Sequence, residues 1–171
     1  MGSKSQLIRH TINKNFVEKY ATDFWACSDL AAERSYPNSV KENKNYRVIP
    51  NAINTFNYRY REDVRCKMRK DLGLEDNFVI GNVGRLHFQK NQDFMIEIFR
   101  ELIKKKPNAV LLLIGSGEDE KRLKEKVSTY GLEDNIHFLG LRTDVPDLLQ
   151  AMDVFLMPSK FEGLGIVAIE A

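Results

Sequence analysis

The chain has 171 residues, 43% hydrophobic and 29% charged, the balance of a folded globular protein rather than a disordered segment. Its 26 Lys and Arg against 24 Asp and Glu leave a net charge of +2, too even for electrostatics alone to point to nucleic acid. The longest apolar run, residues 109–114, falls far short of the roughly 20 needed to cross a bilayer.

The start, Met1-Gly2-Ser3-Lys4-Ser5, leads into polar residues rather than the apolar core of a signal peptide. Cys27 and Cys66 make neither a disulfide framework nor a zinc spacing, so both read as reduced thiols in a cytoplasmic chain. Asp23 to Cys27 is expected as a short strand, Asp29 to Tyr36 as a short helix and Tyr46 to Ile49 as a second strand. One βαβ unit makes little core of its own, so this block reads as the tail of another domain. Asn54 to Tyr58 has the look of a linker, and Arg59 to Leu72 is a basic amphipathic stretch with Val64, Met68 and Leu72 inward.

From residue 78 onward, strand and helix patterns alternate. Strands are expected at Phe78–Val83, Ala109–Ile114, Ile136–Leu139 and Val154–Met157, each a short apolar run of the kind buried on both faces of a parallel sheet. Between them lie helical patterns over 91–106, about 118–130 and about 145–151. The first carries Phe94, Met95, Ile98, Phe99, Leu102 and Ile103 on one face, with Asp93 in its first turn, three lysines at its end and Pro107 stopping it. Gly73-Leu74-Glu75-Asp76-Asn77 and Gly131-Leu132-Glu133-Asp134-Asn135 echo one another. Each places a helix-ending glycine before a polar turn into a strand. The class is α/β with a doubly wound, Rossmann-like parallel sheet.

Ligands of such sheets bind beyond the carboxyl ends of the strands, where the strand order reverses. Three segments leave strands at that edge: 84–90, 115–118 and 158–165. The first offers Arg85 and Lys90, an Arg fork and a Lys point charge suited to a diphosphate, at roughly 1.5–3 kcal/mol for each charged hydrogen bond. Gly115-Ser116-Gly117 is neither a dinucleotide fingerprint nor a P-loop. The third presents Glu162, Gly163 and Gly165 ahead of a helix expected from about Gly163, with Glu170 eight residues beyond Glu162. Taken singly, each loop also reads as a solvated charged turn. His10, His87 and His137 are scattered and make no metal cluster, and no Asp-x-Asp occurs.

The series Gly84-Arg85-Leu86, Gln89-Lys90-Asn91, Gly115-Ser116-Gly117, Phe138-Leu139-Gly140, Asp153 to Ser159 and Glu162-Gly163-Leu164-Gly165 with Glu170 resembles the nucleotide-binding domain of the retaining GT-B glycosyltransferases (group 1, family 4-like). The resemblance runs from about Ala21 to Ala171. It includes Cys27-Ser28-Asp29 and the interdomain crossing Val48 to Asn54, where Ala52-Ile53-Asn54 stands for the family's commoner Gly-Ile-Asp.

The resemblance implies that Gly84, Arg85 and Lys90 hold a donor diphosphate and that Glu162 lies against the donor sugar. Gly163 and Leu164 amides would face the sugar and β-phosphate, Glu170 the ribose, and backbone around Leu139 the base. Glu162, Arg85 and Lys90 are the expected catalytic group. It implies no metal and no cofactor. The donor is a nucleotide-diphosphate sugar, commonly a UDP-sugar, and the acceptor a saccharide or lipid-linked hydroxyl in polysaccharide or glycolipid synthesis. The location is cytoplasmic, at the inner face of a membrane where the acceptor is a lipid. On this basis residues 1–57 are expected as the end of an amino-terminal acceptor-side domain plus linker, and 58–171 as a carboxyl-terminal nucleotide-sugar domain, incomplete at both ends. The fragment is then expected to be catalytically silent, with strand edges prone to self-association. The competing expectations are a non-catalytic nucleotide-binding module and, lacking its glycine fingerprint, a Rossmann oxidoreductase or sugar-nucleotide epimerase.

Overall fold

The computed structural model describes residues 14, 16–42 and 45–171, so the amino-terminal start and His10 lie outside the described residues. The chain divides into two compact units, Met1–Ala52 and Ile53–Ala171.

In the first unit, β1 (Phe24–Ala26) and β2 (Tyr46–Val48) pair in parallel, with Phe24 opposite Tyr46. Helix α1 (Asp29–Ser35) connects them through a 3-10 turn at Asn38–Glu42. Ser28 caps α1 by accepting a hydrogen bond from the Ala31 amide at 3.1 Å, which supplies one of the partners a helix start lacks. Phe24, Ala32 and Val40 are buried, and Tyr36 meets Phe24 edge to face at 5.8 Å while its hydroxyl donates to the Trp25 carbonyl. The expected strand–helix–strand pattern is present, one residue shorter at most ends.

The second unit opens differently from expectation. Residues 53–57 belong with it, and the supposed linker forms a 3-10 turn, Thr55–Tyr58. Asn54 accepts from the Phe56 amide at 3.1 Å, and Tyr58 packs on the core. Polar residues in a tight turn look like a tether in sequence because both are rich in Asn and Thr. Helix α2 (Glu62–Leu72) follows and ends at Gly73, whose left-handed φ of 67° lets its amide close the last turn.

The main sheet contains β3 (Phe78–Val83), β4 (Ala109–Ile114), β5 (Ile136–Gly140) and β6 (Val154–Phe155), all parallel, in the order β5-β4-β3-β6. The chain therefore moves outward from β3 through β4 to β5 and then crosses back to lay β6 on the other side of β3. The order reverses between β3 and β6. Helices α3 (Gln92–Ile103) and α4 (Glu120–Thr129) join β3, β4 and β5, and α5 (Val145–Gln150) leads into β6. One core forms where Met95, Phe99, Leu123 and Val127 meet Leu111 and Leu113; the other where Met68 and Leu148 meet Val79, Val110 and Leu112. Alternate residues of β4 thus face opposite cores, and the whole strand is buried. Each such Leu side chain contributes about 1.5–3 kcal/mol by leaving water.

Two inward assignments change. Phe94 is 52% exposed, and Ile96 is fully buried in its stead. The buried stripe of α3 runs through Gln92, Met95, Ile96 and Phe99, so hydrophobicity alone put Phe94 on the wrong side of a stripe that includes a polar residue. The last helix, α6, spans only Val167–Glu170 and starts four residues after Gly163, where it was expected to begin.

Candidate functional site

The three loops leaving β3, β4 and β6 gather at the carboxyl edge of the sheet. The first two are pressed backbone to backbone. The Gly84 amide donates to Ile114 O at 2.9 Å and the Leu86 amide to Ser116 O at 3.0 Å. Gly115 sits at φ 128°, and a Cβ there would lie 2.1 Å from the Gly84 carbonyl oxygen; one on Gly117 would lie 2.2 Å from that of Leu86. Two side chains are absent because two loops occupy the same space, which explains a glycine pair without a nucleotide fingerprint. A cleft of about 550 Å³ opens beyond them, walled by Gly84, Arg85, Ser116, Leu141, Arg142 and Val145.

At the reversal between β3 and β6, the Lys90 ammonium donates to Glu162 Oε1 at 2.7 Å, with both side chains about one-fifth exposed (20% and 21%). Burial pushes the Glu162 carboxyl up, but the Lys90 ammonium and the Ser159 hydroxyl outweigh it and hold the acid below its ordinary value. The Ser159 Oγ is sealed from solvent and makes no hydrogen bond of normal geometry, so Lys90 is the stronger partner. Around this pair the loops are stitched together. The Gln89 side chain donates to Phe161 O at 2.9 Å, the Lys160 amide to Gln89 O at 2.9 Å, and the Asn91 side chain to Pro158 O at 3.0 Å. The Lys160 ammonium stands 3.6 Å over the Phe88 ring. Beneath them the buried Asn82 donates to Leu156 O at 2.8 Å, and the buried Gln92 reaches Arg85 O at 3.1 Å.

The structure pairs Lys90 with Glu162 and keeps Gly84 beside them, while the side chains of Arg85, Leu139 and Glu170 have other surroundings. Arg85 points along the β4 loop, 68% exposed, with Nη2 at 3.5 Å from Glu118. Gly84 lies under Lys90: a Cβ there would meet the lysine stem at 3.3 Å. The Leu139 side chain packs into the core, and the cleft wall beyond β5 is made by Leu141 and Arg142, two or three residues further on. Gly163 and Leu164 lie in the loop ahead of α6 rather than in a helix start. Glu170 sits at a different cavity, with Tyr58, Tyr60, Leu149, Gln150 and Met152. There burial and the Glu170 carboxylate raise the Tyr58 phenol. His87 faces Glu118 at 3.2 Å and His137 lies by the Asp134 carbonyl. Among the described residues no three His, Cys, Asp or Glu side chains could hold a metal, and no helix is long and apolar enough to cross a membrane.

In the sequence Gln89 and Asn91 stand in the motif series and Glu118 in the second edge segment without an assigned role, and Arg142 was missed. For Arg142 a signal existed: Arg142 and Asp144 follow a strand-ending glycine, and they pair in two prongs at 2.6 and 2.8 Å.

Known proteins are similar to this chain in sequence and in fold. The model of the family "Glycosyl transferases group 1" matches residues 64–171. The UDP-Gal:alpha-D-GlcNAc-diphosphoundecaprenol alpha-1,3-galactosyltransferase of Escherichia coli is 35% identical over 128 residues, covering 72% of this chain and 33% of that protein. Anabaena Alr3699/HepE, solved in complex with UDP-glucose, superposes with a TM-score of 0.79 at 26% identity, over 96% of this chain and 46% of that one. The C-terminal domain of the group 1 glycosyl transferase LpcC of Francisella tularensis superposes with a TM-score of 0.63 at 29% identity, over 70% of this chain and 65% of that one. The chain spans less than half the length of the curated relatives it matches. With the family's model covering more than half of its residues, the chain belongs to the group 1 glycosyl transferases.

Proposed function

We propose that this chain is the donor-holding, carboxyl-terminal part of a retaining GT-B glycosyltransferase, which moves a hexose from a nucleotide-diphosphate sugar to a hydroxyl of a saccharide or lipid-linked acceptor. The observation that carries the reading is the Lys90–Glu162 pair, largely withdrawn from water at the strand-order reversal. A carboxylate accepts hydrogen bonds from sugar hydroxyls, and an ammonium beside it meets the phosphate to which the sugar is attached. As the glycosidic bond breaks, negative charge grows on the departing diphosphate. Lys90, held in place by its pair with Glu162, stabilises it, and Arg85 adds its charge by turning from Glu118 toward the phosphate. The cleft beside them, about 550 Å³ with Arg85 and Arg142 on its rim, has room for a base and ribose.

The site needs no metal in this reading, because the two cations supply the charge that a divalent ion supplies elsewhere. The UDP-glucose complex of Alr3699/HepE supports a uridine donor, and the diphosphoundecaprenol-linked acceptor in the name of the Escherichia coli relative supports a lipid-linked one. Calorimetric titration with UDP, GDP, ADP and their glucose conjugates tests it. UDP and UDP-glucose are expected to bind best, and Lys90→Ala to weaken both by about 1–3 kcal/mol. Equal affinity in wild type and Lys90→Ala removes the pair from the site.

A further inference from the structure

Asn91 is the one described residue other than glycine with a positive φ, 58° with ψ 38°. This left-handed conformation crowds a Cβ against the following carbonyl, and asparagine is among the few side chains that tolerate it. Asn91 is also the cap position of α3, yet its side chain makes no hydrogen bond to that helix. Its amide instead reaches across to the loop after β6 and donates to Pro158 O at 3.0 Å. Residues 89, 90 and 91 thus each grip the same opposing segment: Gln89 through Phe161 and Lys160, Lys90 through Glu162, and Asn91 through Pro158.

We propose that Asn91 is the positioning residue of this site. Its left-handed turn ends the β3 loop so that Lys90 faces β6, and its amide lashes the β6 loop at the distance where the Lys90 ammonium and Glu162 carboxylate meet before any donor arrives. The proposal rests on the reading of Lys90 and Glu162 as donor contacts. Two parts of the role separate chemically. Glycine at 91 keeps the left-handed backbone and loses the lash. Alanine loses the lash and also pays the left-handed strain. Aspartate tolerates the backbone but turns a carboxylate oxygen toward the Pro158 carbonyl, replacing attraction by repulsion.

The test uses the whole chain and four variants: Asn91→Gly, Asn91→Ala, Asn91→Asp and Lys90→Ala. UDP-glucose affinity is read by calorimetry, the Glu162 carboxyl titration by carbon-13 NMR, and folding by thermal melting. Asn91→Gly is expected to weaken UDP-glucose about fivefold, the effect of one lost hydrogen bond, with a melting curve close to wild type. Asn91→Ala and Asn91→Asp are expected to weaken it further. All three shift the Glu162 titration upward, toward its position in Lys90→Ala, a change that a residue serving only to cap or brace the fold does not produce. Where Asn91→Ala fails to fold, Asn91→Gly decides. If Lys90→Ala weakens binding while Asn91→Gly leaves both affinity and the Glu162 titration at wild-type values, the positioning role is overturned and the donor site stands. If Lys90→Ala itself leaves UDP-glucose binding unchanged, the site reading fails and the positioning role goes with it.

Discussion

Arg85 and Glu118 face each other across the rim of the cleft at 3.5 Å, both about two-thirds exposed. His87 stands on the other side of the same carboxylate at 3.2 Å. Its Nδ1 accepts from the Gln89 amide at 3.2 Å, so in the neutral ring the proton sits on Nε2, toward Glu118. A carboxylate held this close to Arg85 competes with any incoming phosphate. Glu118→Gln is therefore expected to tighten UDP binding by about threefold at low salt, a modest gain because exposed pairs contribute little, and the gain should fade as salt screens it. Calorimetry at two ionic strengths checks this; weaker binding in the variant would mean that Glu118 aids the ligand instead. The Lys90–Glu162 pair has its own pH signature. Glu162 is held below its ordinary value, so the pair's stabilisation is complete above the unfolded glutamate range near pH 4.3 and disappears as pH falls through the lower folded value. Denaturant unfolding should show Lys90→Ala less stable than wild type at pH 7, with the gap closing in acid. Lys90 and Glu162 were singled out in sequence through the motif series as a whole, since each loop taken singly also reads as a solvated charged turn. Asn91 stood in that series with no role, because the sign of a backbone torsion and a bond to Pro158 leave no mark on composition.

At the scale of elements, β6 has only two residues in the ladder and is held in large part by helix α2. Asp153, just before the strand, accepts from the Val79 amide at 2.7 Å and from Arg65 at 2.5 Å, and it meets Arg69 at 3.3 Å. Arg65 also donates to Gln150 O and Met152 O, and Arg69 to Ala151 O. Burial raises the Asp153 acid, but the Val79 amide and the two guanidinium groups bring it below its ordinary value. Asp153→Ala leaves two largely buried arginines without their anion and is expected to destabilise the fold by about 3 kcal/mol, read by urea unfolding. A loss under ~0.5 kcal/mol would show that the carbonyls alone satisfy the arginines. This clamp escaped sequence reasoning. Arg65 and Arg69 stand one turn apart on α2, and such pairs read as a solvated face, whereas Val64, Met68 and Leu72 on the same helix were read as inward and do pack there. The short β6 was overextended to Met157 for a related reason: apolar residues continue past the last ladder pair, but side-chain bonds such as that from Asn82 to Leu156 O take over from the strand.

For the molecule as a whole, the alternation of strand and helix was legible because a parallel sheet buries its strands on both faces and so writes them as unbroken apolar runs. The order β5-β4-β3-β6 puts the longest such runs, β3 and β4, in the middle, with two shorter strands outside. Val154 of β6 remains 41% exposed, and β6 has one strand neighbour among the described residues. Light scattering at high micromolar concentration is expected to show self-association, reduced in Val154→Lys by a charge placed on the edge. A monomeric wild type would show the edge to be protected.

The stitching of residues 89–91 to residues 158–162 also bears on motion. Two loops joined at four points have no freedom to swing separately, so residues 89–91 and 158–162 move as a single plate. Opening this plate breaks the hydrogen bond that the Lys160 amide donates to Gln89 O along with the rest. Protection of that one amide from hydrogen exchange therefore reports the free energy needed to part the two loops.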